Sequence, residues 1–166
     1  MNKSYFSEDF LDFLILLDKY SVKYLIIGGQ ASIFYGHARL TGDIDIFYEN
    51  NNINIKKLYQ ALHEFWDGSI PVIQVPDELK STGMIFQFGV PPNRIDLINN
   101  IGNVDFDNAW DTRNTVLIEL NNKNIKIFYI SLDLLISNKK YVQRSKDLDD
   151  LKFLLKVQQK KNGKIA

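Results

Sequence analysis

The chain contains no cysteine, which excludes disulfide staples, thiolate zinc sites and a cysteine nucleophile. It has no apolar run approaching the roughly 18 residues of a membrane-spanning helix. Met1-Asn2-Lys3-Ser4 lacks the apolar segment of a secretory signal. A cytoplasmic protein with no membrane partner is therefore expected, and the missing disulfides fit that expectation. Histidine is scarce: His37 and His63 are isolated and without ligand spacing, so both read as surface or packing residues. Neither charge sign is in excess, with 20 Lys and Arg against 20 Asp and Glu. That balance argues against a broad nucleic-acid footprint, which needs a basic surface.

What the chain does have is apolar material and local charge segregation. Hydrophobic residues make up 45% and aromatics 13%, ample for the core of one domain burying about 70% of its unfolded surface. No internal repeat, linker or low-complexity segment divides residues 1–166, which read as a single domain. From Lys139 onward the sequence is basic, with Lys139, Lys140, Arg144, Lys146, Lys152, Lys156, Lys160, Lys161 and Lys164 against Asp147, Asp149 and Asp150.

Periodicity places the elements. Ser7 can cap a helix whose first turn holds Glu8 and Asp9 and whose Phe10, Phe13, Leu14 and Leu17 follow helical spacing. A strand is expected at Tyr24–Ile27, a short helix at Gln30–Tyr35 and a strand at Ile44–Tyr48. Ile55, Leu58, Tyr59, Leu62 and Phe65 mark a helix ending near Asp67-Gly68. Two or three further strands are expected, roughly at Val72–Val75, Met84–Phe88 and Arg94–Ile98. Residues 99–114 read as polar and irregular, with Asp105, Asp107 and Asp111 in a solvated loop. A hairpin over Thr115–Leu120 and Ile125–Tyr129 follows, turning at Asn121-Asn122-Lys123-Asn124. Helix begins at Ser131 and, after a polar break, resumes through Leu148, Leu151, Leu154 and Leu155. Trp66 and Trp110 read as core or rim. The fold class is α+β.

Chemistry concentrates in one stretch, Gly28 to Phe47, GGQASIFYGHARLTGDIDIF. A glycine pair follows the apolar run Tyr24-Leu25-Ile26-Ile27, and Asp43-Ile44-Asp45-Ile46 alternates with period two. Alternation puts both carboxylates on one strand face, roughly 7 Å apart at about 3.3 Å rise per residue. Like charges side by side repel, so the pair reads either as a solvated face or as ligands for a divalent cation, with Mg²⁺ the natural partner of hard oxygens. The glycines let backbone approach a ligand closely, and a helix start behind them favours an anion.

The ordered set of strand, Gly-Gly, helix, a spacer of about a dozen residues and Asp-apolar-Asp-apolar resembles the DNA polymerase beta-like nucleotidyltransferase superfamily. With Arg39-Leu40-Thr41-Gly42 before Asp43 it is most similar to the small bacterial branch: AbiEii-type toxins, minimal nucleotidyltransferases and lincosamide nucleotidyltransferases. The match spans roughly residues 22 to 98. The resemblance implies a mixed central sheet flanked by helices, with C-terminal helices closing the site. It also implies a third carboxylate on a neighbouring strand, and Asp96 within Arg94-Ile95-Asp96-Leu97-Ile98 has the form required. Asp43, Asp45 and Asp96 would then be the catalytic acids, holding two Mg²⁺ or Mn²⁺ ions. Asp96 could help deprotonate the acceptor hydroxyl. Gly28, Gly29 and the Ser32 hydroxyl would face the phosphates of an NTP.

Arg39 and Thr41 would either orient the loop or contact phosphate. Near the C-terminus, Lys139 followed by Arg144, Lys146, Asp147 and Asp150 resembles a second element of the same branch. By that likeness Lys139 would approach the triphosphate, and Arg144 and Asp147 would stabilise or line the site. The plainer reading of this segment is a helix start stabilised by acids, with a solvated basic face. The function implied is transfer of an NMP to a hydroxyl of RNA, a protein or a small molecule, possible within a toxin–antitoxin or defence pair. The rival is a catalytically silent nucleotide-binding or antitoxin-like module acting through a protein partner.

Overall fold

The computed structural model describes residues 6–120 and 122–163. Met1–Ser4, Asn121 of the expected hairpin turn and Lys164 lie outside the described residues. Ser7 does cap α1 (Glu8–Lys19), its hydroxyl accepting from Phe10 N, and Phe10, Phe13, Leu14 and Leu17 are buried on one face. β1 (Tyr24–Ile27) runs directly into α2 (Gly28–Phe34), so the glycine pair forms the helix's first turn instead of preceding it. β2 (Asp43–Tyr48) leads to α3 (Asn52–Phe65), capped by the Asn51 side chain.

The expected strand at 72–75 does not form. Pro71 and Pro76 bracket it, Val72 sits at φ 58°, and Pro76–Lys80 is a short 3-10 turn. A positive φ at Val72 takes it out of extended backbone, and the Gln74 and Val75 amides donate to Glu78 Oε2 instead of to a neighbouring strand. β3 (Ile85–Phe88) and β4 (Arg94–Ile98) follow. The stretch after β4 is not irregular throughout: Asp105 caps a short helix, α4 (Phe106–Asp111), by accepting from Asn108 N. Asp107 and Asp111 are exposed, as expected, but on that helix. β5 (Asn114–Leu120) and β6 (Lys123–Tyr129) pair as the hairpin. α5 (Leu132–Val142) ends at Gln143 in the left-handed conformation, and α6 (Ser145–Gly163) closes the described chain.

The architecture is α+β, a six-stranded mixed sheet flanked by helices. Strand order is β3-β4-β2-β1-β6-β5. β2 and β4 are parallel, as are β1 and β6; β1–β2, β3–β4 and β5–β6 are antiparallel. Central strands buried on both faces are near-continuously apolar, which is why β1 is YLII and fully buried. In β2 and β4, Ile44, Ile46, Ile95 and Leu97 enter the core while the intervening positions carry acids. No helix among the described residues is long and apolar enough to cross a membrane.

Candidate metal centre and cleft

Strand register assembles the acids. Asp45 pairs with Asp96 across β2–β4, Gln87 with Asp96 across β3–β4, and Ile27 with Asp45 across β1–β2. Directly paired residues share a face, so Gln87, Asp96, Asp45 and Ile27 form one row across four strands. Asp43 lies two residues before Asp45 on the same face and pairs with Arg94, which precedes Asp96 by two. Three carboxylates separated by up to 53 positions in the chain thereby converge, each offering an oxygen within 4.8 Å of the others.

The hydrogen bonds are unevenly shared. Arg94 donates from Nη2 to Asp43 Oδ2 at 2.7 Å, from Nε to Asp96 Oδ1 at 2.7 Å and from Nη2 to Asp96 Oδ2 at 2.9 Å. The Thr41 hydroxyl donates to Asp43 Oδ1, and Gln87 Nε2 donates to Asp96 Oδ2. Among the described residues none donates to Asp45. Burial, then the charges of Asp43 and Asp96, push its carboxyl up to about 6, against a partial counterweight from Lys146 and Arg144. Hydrogen bonding to its acids holds the Arg94 guanidinium above its ordinary value.

This donor set fits a divalent cation. Hard carboxylate oxygens from three residues suit Mg²⁺ or Mn²⁺, and one guanidinium leaves the cluster short of positive charge. The glycine behind it is cut to the same shape. A Cβ on Gly28 would lie 2.0 Å from Asp45 Oδ2, and Gly28 sits at φ +63°, a conformation other residues rarely adopt. A Cβ on Gly29 would meet Thr41 Oγ1 at 2.7 Å and Arg39 Nη2 at 3.0 Å. The glycine pair thus lets the acids approach on one side and the 39–41 loop on the other.

The acids line a cleft of about 350 Å³ whose other wall comes from α5 and the start of α6: Asn138, Lys139, Tyr141, Arg144, Lys146 and Asp147. Behind that wall is a second charged group. Asp150, fully buried, accepts from Arg39 Nη1 at 2.8 Å on both oxygens, from Lys139 Nζ at 2.6 Å on Oδ2, and lies 2.9 Å from His37 Nδ1. Lys139 also donates to Asp147 Oδ1 at 3.0 Å, and Arg144 Nε to Asp147 Oδ2 at 2.7 Å. Burial pushes the Asp150 carboxyl up, but Lys139 and Arg39 outweigh it and hold it below the usual range. Asp147 behaves alike, with burial opposed by Arg144 and Lys139.

Of the residues expected at the site, Asp43, Asp45, Asp96, Gly28, Lys139, Arg144 and Asp147 line the cleft together. Ser32 does not: it is buried and its hydroxyl donates to Gly28 O. Gly29, Arg39 and Thr41 do not line the cleft: the Thr41 hydroxyl holds Asp43, Arg39 pairs with Asp150, and Gly29 leaves room for both side chains. Arg94 and Gln87 were passed over by sequence reasoning, and His37 was read without its partner. Arg94 carried a usable signal, since i and i+2 share a strand face and Asp96 is its i+2 neighbour. His37, stacked 4.7 Å from Phe153 and paired with Asp150, is a packing residue as expected, with a charged partner that no local spacing could reveal. No protein-family model and no curated protein matches the chain.

Proposed function

We propose that the chain is a metal-dependent nucleotidyltransferase with a polymerase beta-like fold, moving an NMP from an NTP to an acceptor hydroxyl. The observation that carries this reading is the convergence of Asp43, Asp45 and Asp96 within 4.8 Å, backed by a glycine that Asp45 leaves no room to replace. In the reaction the acceptor oxygen attacks the α-phosphorus, the bond to the β-phosphate oxygen breaks, and pyrophosphate leaves. When bound, Mg²⁺ or Mn²⁺ would neutralise charge on the transferring phosphoryl group and on the attacking and leaving oxygens.

The chain's own groups do the rest. Asp43, Asp45 and Asp96 would hold the cations. Asp96, oriented by Gln87 and Arg94, is assigned the acceptor hydroxyl's proton at its carboxylate. Arg144, its side chain 59% exposed, offers charge to the phosphates from the opposite wall. The rival reading, a silent module working through a protein partner, draws support from Arg94, which engages oxygens of two of the three acids.

The test is incubation with each of four α-labelled NTPs and Mg²⁺ or Mn²⁺, alongside cell RNA, hydroxylated small molecules and lysate. Label transferred by the native chain and lost in Asp43→Ala/Asp45→Ala is expected. Metal-dependent NTP binding with no transfer to any pool would favour the silent module.

A further inference from the structure

An NTP in this cleft needs a cation for its β- and γ-phosphates, and the sequence motif nominates Lys139. We infer that Lys146 makes that contact instead and that Lys139 is a positioning residue; the inference rests on the nucleotide reading above.

Lys139 is the wrong lysine on three counts. Only 3% of its side chain is exposed, its ammonium is committed to Asp147 at 3.0 Å and Asp150 at 2.6 Å, and those acids are themselves buried. An ammonium has three N–H donors, so two are engaged before any ligand arrives. Turning Lys139 towards a phosphate would strip two buried carboxylates of a partner, which is strongly unfavourable. What Lys139 does instead is join α5 to α6. Asp150, through Arg39, also joins α6 to the loop bearing Thr41, which in turn holds Asp43.

Lys146 has the opposite character. It lines the same cleft, is exposed, and among the described residues has no hydrogen bond or ion pair. Its charge is felt at Asp45, across the cleft. A free ammonium on a flexible stem serves phosphate well as a point charge, and nothing in the fold is broken by its moving. Arg144, whose Nε bonds Asp147, keeps the rest of its exposed fork available beside it. The helix break at Gln143 produces this division: Asp147 turns inward to meet Lys139 while Lys146, one residue earlier, faces the cleft.

The experiment is calorimetric titration of the full chain with inorganic tripolyphosphate and with each of four NTPs, all in Mg²⁺, beside thermal melts. Lys146→Ala should bind tripolyphosphate about tenfold more weakly, the loss of one charge-assisted contact, with an unchanged melting temperature. Lys146→Arg should restore most of the affinity. Lys139→Met should melt lower while its folded form binds within about threefold of native, as expected of a group that makes no phosphate contact. If Lys139→Met does not fold, Lys139 is shown to be structural and the two Lys146 variants decide. Unchanged binding in Lys146→Ala, or lost binding in a Lys139→Met of native stability, overturns the inference alone. A native chain that binds neither tripolyphosphate nor any NTP overturns it together with the nucleotide reading.

Discussion

On one wall of the cleft stand Asp43, Asp45 and Asp96 with a single guanidinium, that of Arg94, which bonds Asp43 and Asp96 and leaves Asp45 without a donor among the described residues. On and behind the other, Asp147 and the fully buried Asp150 are met by Lys139, Arg39 and Arg144. Formally the first group keeps an excess of two negative charges, and the second an excess of one positive. The carboxyls register the difference: Asp45 is pushed up to about 6, whereas Asp147 and Asp150 are held below the usual range. A fold that can neutralise buried aspartates so thoroughly in one place has not done so on the facing wall of the same cleft. The unneutralised group is therefore the one that could hold a cation, and the neutralised group ties α5 and α6 to the 37–41 loop.

The largest expected effect comes from breaking the neutralised side. Lys139→Met leaves two buried carboxylates short of a partner and should cost about 3 kcal/mol or more, read as a melting point roughly 10 °C lower. On the other side, Asp43→Asn should weaken Mn²⁺ binding by about a hundredfold with little loss of fold, measured by titration beside a melt. Asp45→Asn should stabilise the chain in chelator at pH 7.5 by about 1–3 kcal/mol, following the shift of its carboxyl.

The sign follows from linkage. A carboxyl raised in the folded state holds its proton longer than the unfolded chain does, so stability falls as pH rises from near 4 to about 6 and stays lower above that. The gain from Asp45→Asn should accordingly shrink as melts are repeated towards pH 4. Asp147 and Asp150 run the other way. Their stabilisation is present above the ordinary carboxylate range and is lost as pH falls through their lowered values. The smallest effect is expected at Arg94. Arg94→Gln frees oxygens that a cation would use and should tighten Mn²⁺ by about tenfold, detectable by the same titration; weaker binding would make Arg94 a support of the site instead of its competitor.

The unneutralised side was legible in the sequence because it is built from local patterns. Asp43 and Asp45 alternate, the glycines follow an apolar strand, and Asp96 sits alone in an apolar run. Register then does the rest, and Arg94 could have been read from the same i, i+2 rule. The neutralised side was not legible, since Arg39 and His37 meet Asp150 across 111 and 113 positions, a pairing that no short-range spacing encodes. Lys139 stands on the cleft wall with two buried partners, Asp147 and Asp150, that its resemblance-based reading did not include. The expected strand at 72–75 failed because Val72 takes a positive φ and the Glu78 side chain captures the Gln74 and Val75 amides, neither of which the β-branched composition reveals.

The most direct measurement is Mn²⁺ binding, by electron paramagnetic resonance or calorimetry, to the native chain, Asp45→Asn and Asp147→Asn. The native chain should bind, Asp45→Asn should lose most of the affinity, and folded Asp147→Asn should keep it. A native chain without affinity for Mn²⁺, or one whose affinity follows Asp147 and ignores Asp45, would contradict the assignment of the metal centre to Asp43, Asp45 and Asp96.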